Sequence, residues 1–287
     1  MTAPLDPALI ARCPVGCTST LAPTTIVQPE GVLLRCSACG QLVSQIGTAA
    51  YTRSMQAFDA ADFNQPDPRA TERRQRVANK RLARITQLLG RAPAGATLVD
   101  VGCSRGDFVA AAAAFGFAAE GVEPAPHIAE AARTAGRNVK TGLLEEQRYP
   151  DAHFDAVTLF EVIEHLAQPL PLLTEIRRIL KPGGVLLVST GNGASWTAQA
   201  LKGRWDYFSI EKDAGHVSFY NPRSIALAAE RVGLSAARID TARVRLAERD
   251  QVAAPLYAAA KLVGELANPL ARVLGRGHDL LAYLRKA

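Results

Sequence analysis

The stretch Leu98–Phe108, LVDVGCSRGDF, carries the residues best spaced for ligand chemistry. An acid, Asp100, stands near the end of a short apolar run, and Gly102 and Gly106 follow before an alanine-rich segment. A strand that ends in glycines and feeds a helix N-terminus is a site for a nucleotide-like ligand, because glycine lets the backbone turn sharply and approach without a Cβ in the way. The spacing D-x-G-x-x-x-G is not a dinucleotide fingerprint, which would place glycine at Ser104. Nor is it a phosphate loop, which would need Gly-Lys-Ser/Thr. Asp100 would repel a phosphate, so the pattern points to a ligand with positive charge. A second acid, Glu123, closes the next apolar run 17 residues after Gly106. A carboxylate there can accept both hydroxyls of a ribose.

Four of the five cysteines fall in the first 40 residues. Cys13 and Cys17 enclose three residues, Cys36 and Cys39 enclose two, and 18 residues separate the pairs. Two close pairs on two knuckles can set four thiolates around one zinc, and a filled tetrahedron makes that zinc structural rather than catalytic. The first knuckle, CPVGC, is one residue longer than the usual spacing. Disulfides are the competing reading, but the N-terminus, MTAPLDPALI, has no secretion pattern.

These residues need a frame. Thr97–Val101 and Ala118–Val122 read as strands, Gly106–Phe115 as a helix closed by Gly116, Pro126–Ala135 as a helix, and Asn138–Thr141 as a short strand. Phe154–Phe160 is almost continuously apolar, which suits a strand buried on both faces. A helix over about 170–180 shows Leu172, Leu173, Ile176, Ile179 and Leu180 at helical spacing; Lys181-Pro182-Gly183-Gly184 ends it before a strand over Val185–Thr190. Such alternation predicts an α/β fold, a parallel sheet with helices on both faces. Upstream, Thr25–Val27 and Gly31–Arg35 are expected as strands of the ribbon. Pro66–Pro68 should break the chain, with Asp67 capping a helix over Arg69–Leu89. That helix has an apolar side (Val77, Leu82, Ile85, Leu88, Leu89) and a basic one (Arg69, Arg73, Arg74, Arg76, Lys80, Arg81, Arg84). The basic side reads first as a solvated face and second as a surface for phosphates.

Downstream, residues 191–220 show no clear period and hold Trp196, Trp205, Tyr207, Phe208, His216, Phe219 and Tyr220. A long aromatic loop in a compact domain is usually functional. Asn221-Pro222 opens a helix that Gly233 ends, and Leu234–Leu246 and Leu280–Arg285 read as the sixth and seventh strands. Between them, residues 251–274 are helical and apolar, interrupted by Pro255 and Pro269. Packing against the core or another subunit is the plain reading of that segment. A membrane-surface helix is the sharper one, weakened by its few lysines and arginines.

The strings FDAVTLFEVIEHL and ILKPGGVLLVST, with Asp100, Gly102, Gly106 and Glu123, resemble the core of the class I S-adenosylmethionine (SAM)-dependent methyltransferases over about residues 97–190. The resemblance implies a Rossmann-like seven-stranded sheet with helices on both faces and a small N-terminal zinc ribbon. The parts expected are a ribbon over 1–50, a linker and basic helix over 51–92, and a SAM-binding domain over 93–287. Within that domain 191–220 would be a substrate lid and 248–278 a helical insertion. Asp100 would hold the methionine amino group, Gly102, Cys103 and Gly106 the rest of the methionine and the ribose, and Glu123 the ribose hydroxyls. Further contacts are expected from Pro124, Leu144, Glu145 and Phe160. The family often has an acid for the adenine amine after the third strand; Leu143, Leu144 and Glu145 stand nearest here. A ribbon, then a linker bearing Tyr51, Ser54 and Phe58, then a SAM domain also looks, more loosely, like bacterial methyltransferases acting on sugars and cell-surface glycans.

Methyl transfer needs a base, and His216, His165, Glu161 and Tyr207 are the candidates, with His216 preferred and His165 second. The pKa of histidine suits proton removal near neutrality. DNA base methylation is disfavoured: Phe160-Glu161-Val162 stands where an Asn/Asp-Pro-Pro-aromatic motif would be needed, and Cys103, the cysteine outside the zinc set, lies in the cofactor turn. The expected acceptor is a hydroxyl or enolisable carbon of a small molecule, a sugar or glycoconjugate. An rRNA or tRNA methyltransferase and a non-catalytic SAM-fold partner are the alternatives, and a homodimer is compatible with the preferred reading. The chain has 287 residues, 48% hydrophobic, enough for one large α/β domain with an appendage. Its net charge of +6 is spread out rather than gathered in a tail, and no run of 18 apolar residues occurs, so a cytoplasmic protein is expected.

Overall fold

The computed structural model describes residues 8–60, 68–209 and 215–287, apart from the side chains of residues 57–60 and 68–71. The expected cap at Asp67 and the side chains of Phe58 and Arg69 lie outside the described residues. A seven-stranded sheet is formed by β4 (Thr97–Val101), β5 (Ala118–Glu123), β6 (Val139–Thr141), β7 (Phe154–Phe160), β8 (Leu180–Gly191), β10 (Leu234–Ala242) and β11 (Asp279–Lys286). Its order is β10-β11-β8-β7-β4-β5-β6. All pairs from β8 to β6 are parallel, while β11 runs antiparallel to β8 and to β10. The sheet is therefore mixed rather than wholly parallel. The insertion between β10 and β11 begins and ends at one edge of the sheet, so the chain re-enters in the opposite direction.

Helices α3 (Asp107–Phe115), α4 (Pro126–Thr134), α5 (Pro169–Ile179) and α7 (Pro222–Arg231) flank the sheet together with α2 (Pro68–Leu89). Gly116, in the left-handed region at φ 113, ends α3, and Asn221 caps α7 by accepting from the Arg223 and Ser224 amides. On α2, Leu82 and Ile85 are fully buried against Leu98, Ala112, Leu187 and Tyr283. Val77, expected on that side, is 40% exposed. Strand β8 begins at Leu180: the register jumps from Phe154↔Leu180 to Ala156↔Val185, so Lys181–Gly184 bulges out within the strand instead of preceding it. Strand β10 ends at Ala242, short of Leu246, because Arg243 adopts φ 62 and breaks the ladder.

Residues 191–220 are not a plain loop. They contain α6 (Trp196–Leu201), two 3-10 turns (Lys202–Arg204 and Asp206–Phe208) and β9 (Ser218–Phe219). Elements this short leave no periodicity to read. β9 joins the N-terminal strands β1 (Leu21–Gln28), β2 (Gly31–Cys36) and β3 (Leu42–Val43) in a second sheet of order β1-β2-β3-β9. Leu42 pairs with Phe219 and Val43 with Ser218, and Ile26, Leu33 and Leu42 pack with Trp205, Phe208 and Phe219. Helix α1 (Thr48–Ala60) follows β3.

Helix α8 (Ala254–Val273) is continuous: Pro255 sits in its first turn and Pro269 is carried inside it. Its buried residues are Gly264 and Ala271. A Cβ on Gly264 would collide with the Val244 carbonyl oxygen, so this contact requires glycine. Gly264→Val is expected to destabilise the fold by about 1–3 kcal/mol, as overpacking does, and to lower the thermal midpoint by several degrees in a calorimetric scan. An unchanged midpoint would mean that α8 docks elsewhere.

Candidate active site

The parallel pairing of β4 and β5 brings Asp100 and Glu123 to the same edge of the sheet. Asp100 is 2% exposed, and its Oδ1 accepts from Thr158 Oγ1 at 2.6 Å. Burial pushes its carboxyl up to about 7, and Glu123 pushes the same way, while the Thr158 hydroxyl and the Arg81 cation hold it down. Glu123 is also buried, and its two oxygens accept from the Ser104 and Ala125 amides, both at 2.9 Å. Each carboxylate oxygen can accept a second hydrogen bond, so a diol can still be held there.

The turn between β4 and α3 is fixed by Gly102 at φ 69 and Gly106 at φ 72, with Ser104 at φ 48 where a dinucleotide fold would use glycine. The Gly102 and Cys103 amides both donate to the Val122 carbonyl, at 2.8 and 3.1 Å. A Cβ on Gly102 would lie 2.5 Å from Val162 Cγ2, so the turn and the segment after β7 touch only because Gly102 has none. The Cys103 side chain packs into the core with Val109 and Ala129, leaving its backbone for the turn. Leu144 is buried in the main core, whereas Glu145 and Pro124 are exposed at the same edge. Phe160 closes the edge of β7, 4.5 Å from the Phe108 ring.

A polar cluster lies past the ends of β7 and β8, and it brings together the four candidate bases. Tyr207 sits at its centre. Its phenol is 2.7 Å from Thr190 Oγ1, accepts from the Gly191 amide at 2.8 Å and donates to Glu164 Oε1 at 2.7 Å. Burial and the Glu164 charge hold that phenol well above its usual range, so it stays protonated and orders its neighbours. Glu164 is completely buried, and its Oε2 has no partner among the described residues. His216 is 6% exposed, with Nδ1 2.9 Å from the Tyr207 carbonyl oxygen and Nε2 3.9 Å from Glu164 Oε1. A carbonyl only accepts, so Nδ1 must carry the proton and Nε2 keeps its lone pair. Burial lowers the His216 pKa to about 4, making it a neutral but weaker base than free histidine. The His165 ring is 4.6 Å from that of His216, and Tyr51 of α1 donates to the His165 carbonyl at 2.7 Å. Glu161, at φ 52, is exposed at the mouth and accepts from Ser189 Oγ at 3.0 Å.

Sequence reasoning missed Arg81 and Glu164. Arg81 is not on the solvated face of α2: its guanidinium lies 4.8 Å from the centre of the Phe160 ring and reaches Ser189 Oγ at 3.5 Å. The available signal was its spacing, three residues from buried Ala78 and four from buried Ile85, which sets it on the inner face. Glu164 lay in plain view within the string EVIEHL.

The sulfurs of Cys13, Cys17, Cys36 and Cys39 all lie within 4.8 Å of one another, and Cys13 and Cys39 are 3.6 Å apart. All five cysteines are free, so the disulfide reading is set aside. Zinc–sulfur bonds of about 2.3 Å in a tetrahedron put sulfurs roughly 3.8 Å apart, so the cluster fits zinc. Its surroundings touch the chain around β9 and the start of α7: Asn221 Nδ2 donates to the Cys39 carbonyl at 3.2 Å, and Gln41 Nε2 to Ser218 Oγ at 2.8 Å.

Residues 70–238 match the family described as "Methyltransferase domain". A protein named ubiquinone biosynthesis O-methyltransferase from Thiobacillus denitrificans is 30% identical over 164 residues, covering 50% of this chain and 67% of that protein. The protein of the same name from Xanthomonas axonopodis is 31% identical over 143 residues, 42% of this chain and 59% of its own length. The chain thus spans about three fifths to two thirds of these relatives. A SAM-dependent methyltransferase from Archaeoglobus fulgidus has the same fold, with a TM-score of 0.51 at 18% identity over 73% of this chain and 94% of that one.

Tyr207→Phe removes the hydroxyl shared by Thr190, Gly191 and Glu164. It is expected to cost about 1–3 kcal/mol of stability, measured as a lower urea midpoint, because a buried carboxylate loses its donor. A midpoint equal to wild type would show that Glu164 does not depend on that phenol.

Proposed function

The chain belongs to the methyltransferase-domain family, as a class I SAM-dependent methyltransferase, and we propose that it methylates a hydroxyl of a small molecule, a sugar or glycoconjugate. SAM, when bound, supplies a methyl group on a positively charged sulfur, open to in-line attack. The observation that carries the reading is the juxtaposition of two sites on one sheet edge: the Asp100–Glu123 glycine turn, and the Glu164–Tyr207–His216 cluster beside it. The names of the curated relatives support oxygen over carbon as the methylated atom.

In this proposal Asp100 takes the amino group of the cofactor, Glu123 the ribose hydroxyls, and the backbone from Gly102 to Gly106 the remainder, with Pro124, Glu145, Phe160 and the backbone of Leu144 lining the base and ribose. Arg81, between Asp100 and Glu161, offers its cation to the cofactor carboxylate. Tyr207 fixes Glu164, and the Tyr207 carbonyl fixes the His216 tautomer. His216 Nε2 then takes the acceptor proton, and Glu164, 3.9 Å away, stabilises the imidazolium that results. A base so placed contributes about 10²–10⁴-fold. The ribbon over 1–50, the helix-bearing linker over 51–92, the lid over 191–220 and the insertion over 248–278 serve as parts of this one enzyme. Zinc at the four cysteines braces the lid through β3 and β9.

A turnover screen of extracted cell-surface saccharides and nucleotide-sugars, with RNA as comparator, tests the acceptor. Salt-sensitive methylation of RNA alone would overturn it. His216→Asn keeps a donor for the Tyr207 carbonyl but loses Nε2. It is expected to bind S-adenosylhomocysteine as wild type does and to turn over at least about 100-fold more slowly; undiminished turnover rejects His216 as the base. Zinc removal with a chelator is expected to release one equivalent of metal and shift the emission of buried Trp205 to the red, with cofactor affinity retained. Release of no metal would rule out the zinc assignment.

A further inference from the structure

Helix α8 is inside out. Its small residues Gly264 and Ala271 face the protein, while Leu256, Leu262, Val263, Leu266, Leu270 and Val273 are each more than half exposed. These positions fall on one side of the helix by their spacing. Among the described residues outside this segment, exposed large apolar side chains (Val27, Val77, Leu143) occur singly, which is ordinary. A continuous aliphatic face on one helix is not.

The position of the helix is as informative as its composition. It leaves the sheet at the end of β10 and returns at Asp279, which pairs with Gly191, the last residue of β8. It is therefore rooted at the edge that carries the polar cluster. Its flanks are bonded to the lid: Gln251 Nε2 donates to the Arg204 carbonyl at 2.8 Å, the Trp196 amide to the Arg276 carbonyl at 3.0 Å, and Asn192 Nδ2 to the Gly277 carbonyl at 2.8 Å. Residues 243–279 carry six arginines and lysines against four acids, net +2, with Arg243 paired to Asp279 and Lys261 to Glu265. No described helix is long and apolar enough to cross a membrane.

We propose that α8 lies in the plane of an anionic lipid surface, with its leucine face in the headgroup–acyl boundary, and so holds the active-site edge against the bilayer. An apolar helix face in a segment whose flanks carry surplus positive charge fits an in-plane amphipathic helix, and that surplus, which lies in Arg243, Arg245, Arg249 and Arg276 beside the helix rather than on its apolar side, complements anionic headgroups. Self-pairing of α8 between two copies would instead bring two like-charged segments together. The proposal is independent of the acceptor, because docking is read without turnover.

The test is flotation of the full chain with vesicles of phosphatidylcholine alone and of an equimolar mixture with phosphatidylglycerol, using wild type and the double variant Leu266→Ser/Leu270→Ser. Both leucines are exposed, so the variant should keep the wild-type melting temperature and affinity for S-adenosylhomocysteine. Wild type is expected to float with the anionic vesicles, less so at high salt, and the variant to partition at least about tenfold more weakly. Failure of wild type to bind anionic vesicles would overturn the proposal, as would equal binding by the variant. A wild-type dimer in light scattering that the variant abolishes, without vesicle binding, would assign the face to a second copy.

Discussion

A carboxylate held out of water at the end of β4 is the constraint around which the structure is arranged. Asp100 is charged only at a cost, since burial alone favours its neutral form. The fold offsets part of that cost with the Thr158 hydroxyl from the neighbouring strand and the Arg81 cation from α2. A cationic ligand group would offset the rest. Glu123 meets the same problem differently: two backbone amides satisfy it, and the one from Ser104 ties it to the glycine turn. One acid keeps part of its burial cost unbalanced, and the other is engaged by the backbone beside it.

The segment after β8 and the N-terminal strands share one sheet. Two residues of β9 complete the sheet of the ribbon, and the Trp205–Phe208–Phe219 cluster fills the gap between them. Val217, next to β9, donates to the Glu164 carbonyl at 2.9 Å, so this segment also rests on the turn that carries the polar cluster. The four-cysteine cluster therefore connects to the site through a short path of backbone hydrogen bonds.

Much of this was legible in the sequence. The limits of β4 and β7 follow from uninterrupted apolar runs bounded by acids and glycines, and the strand pair between the knuckles was expected, although β1 begins at Leu21 rather than Thr25 and β3 was missed. What was not legible depends on tertiary contact. The antiparallel course of β11 is decided by where α8 begins and ends, which no local pattern encodes. Arg81 reads as one more cation in a basic helix until the burial of Ala78 and Ile85 shows which way it faces. The segment 191–220 reads as a loop because its helices are too short to show a period. His216 was legible as a histidine in an aromatic setting, but not its tautomer, which a single carbonyl of Tyr207 determines.

If Asp100, as an ionised carboxylate beside Glu123, binds the cationic end of the cofactor, the affinity must follow its charge. Calorimetric titration of the protein with S-adenosylhomocysteine across pH tests it most directly. With an Asp100 pKa of about 7, the affinity should be full at high pH and fall as pH drops through 7, by about tenfold between about pH 8 and about pH 6. Asp100→Asn should weaken binding and abolish that slope. Tight binding that ignores pH in wild type and survives Asp100→Asn would contradict the account.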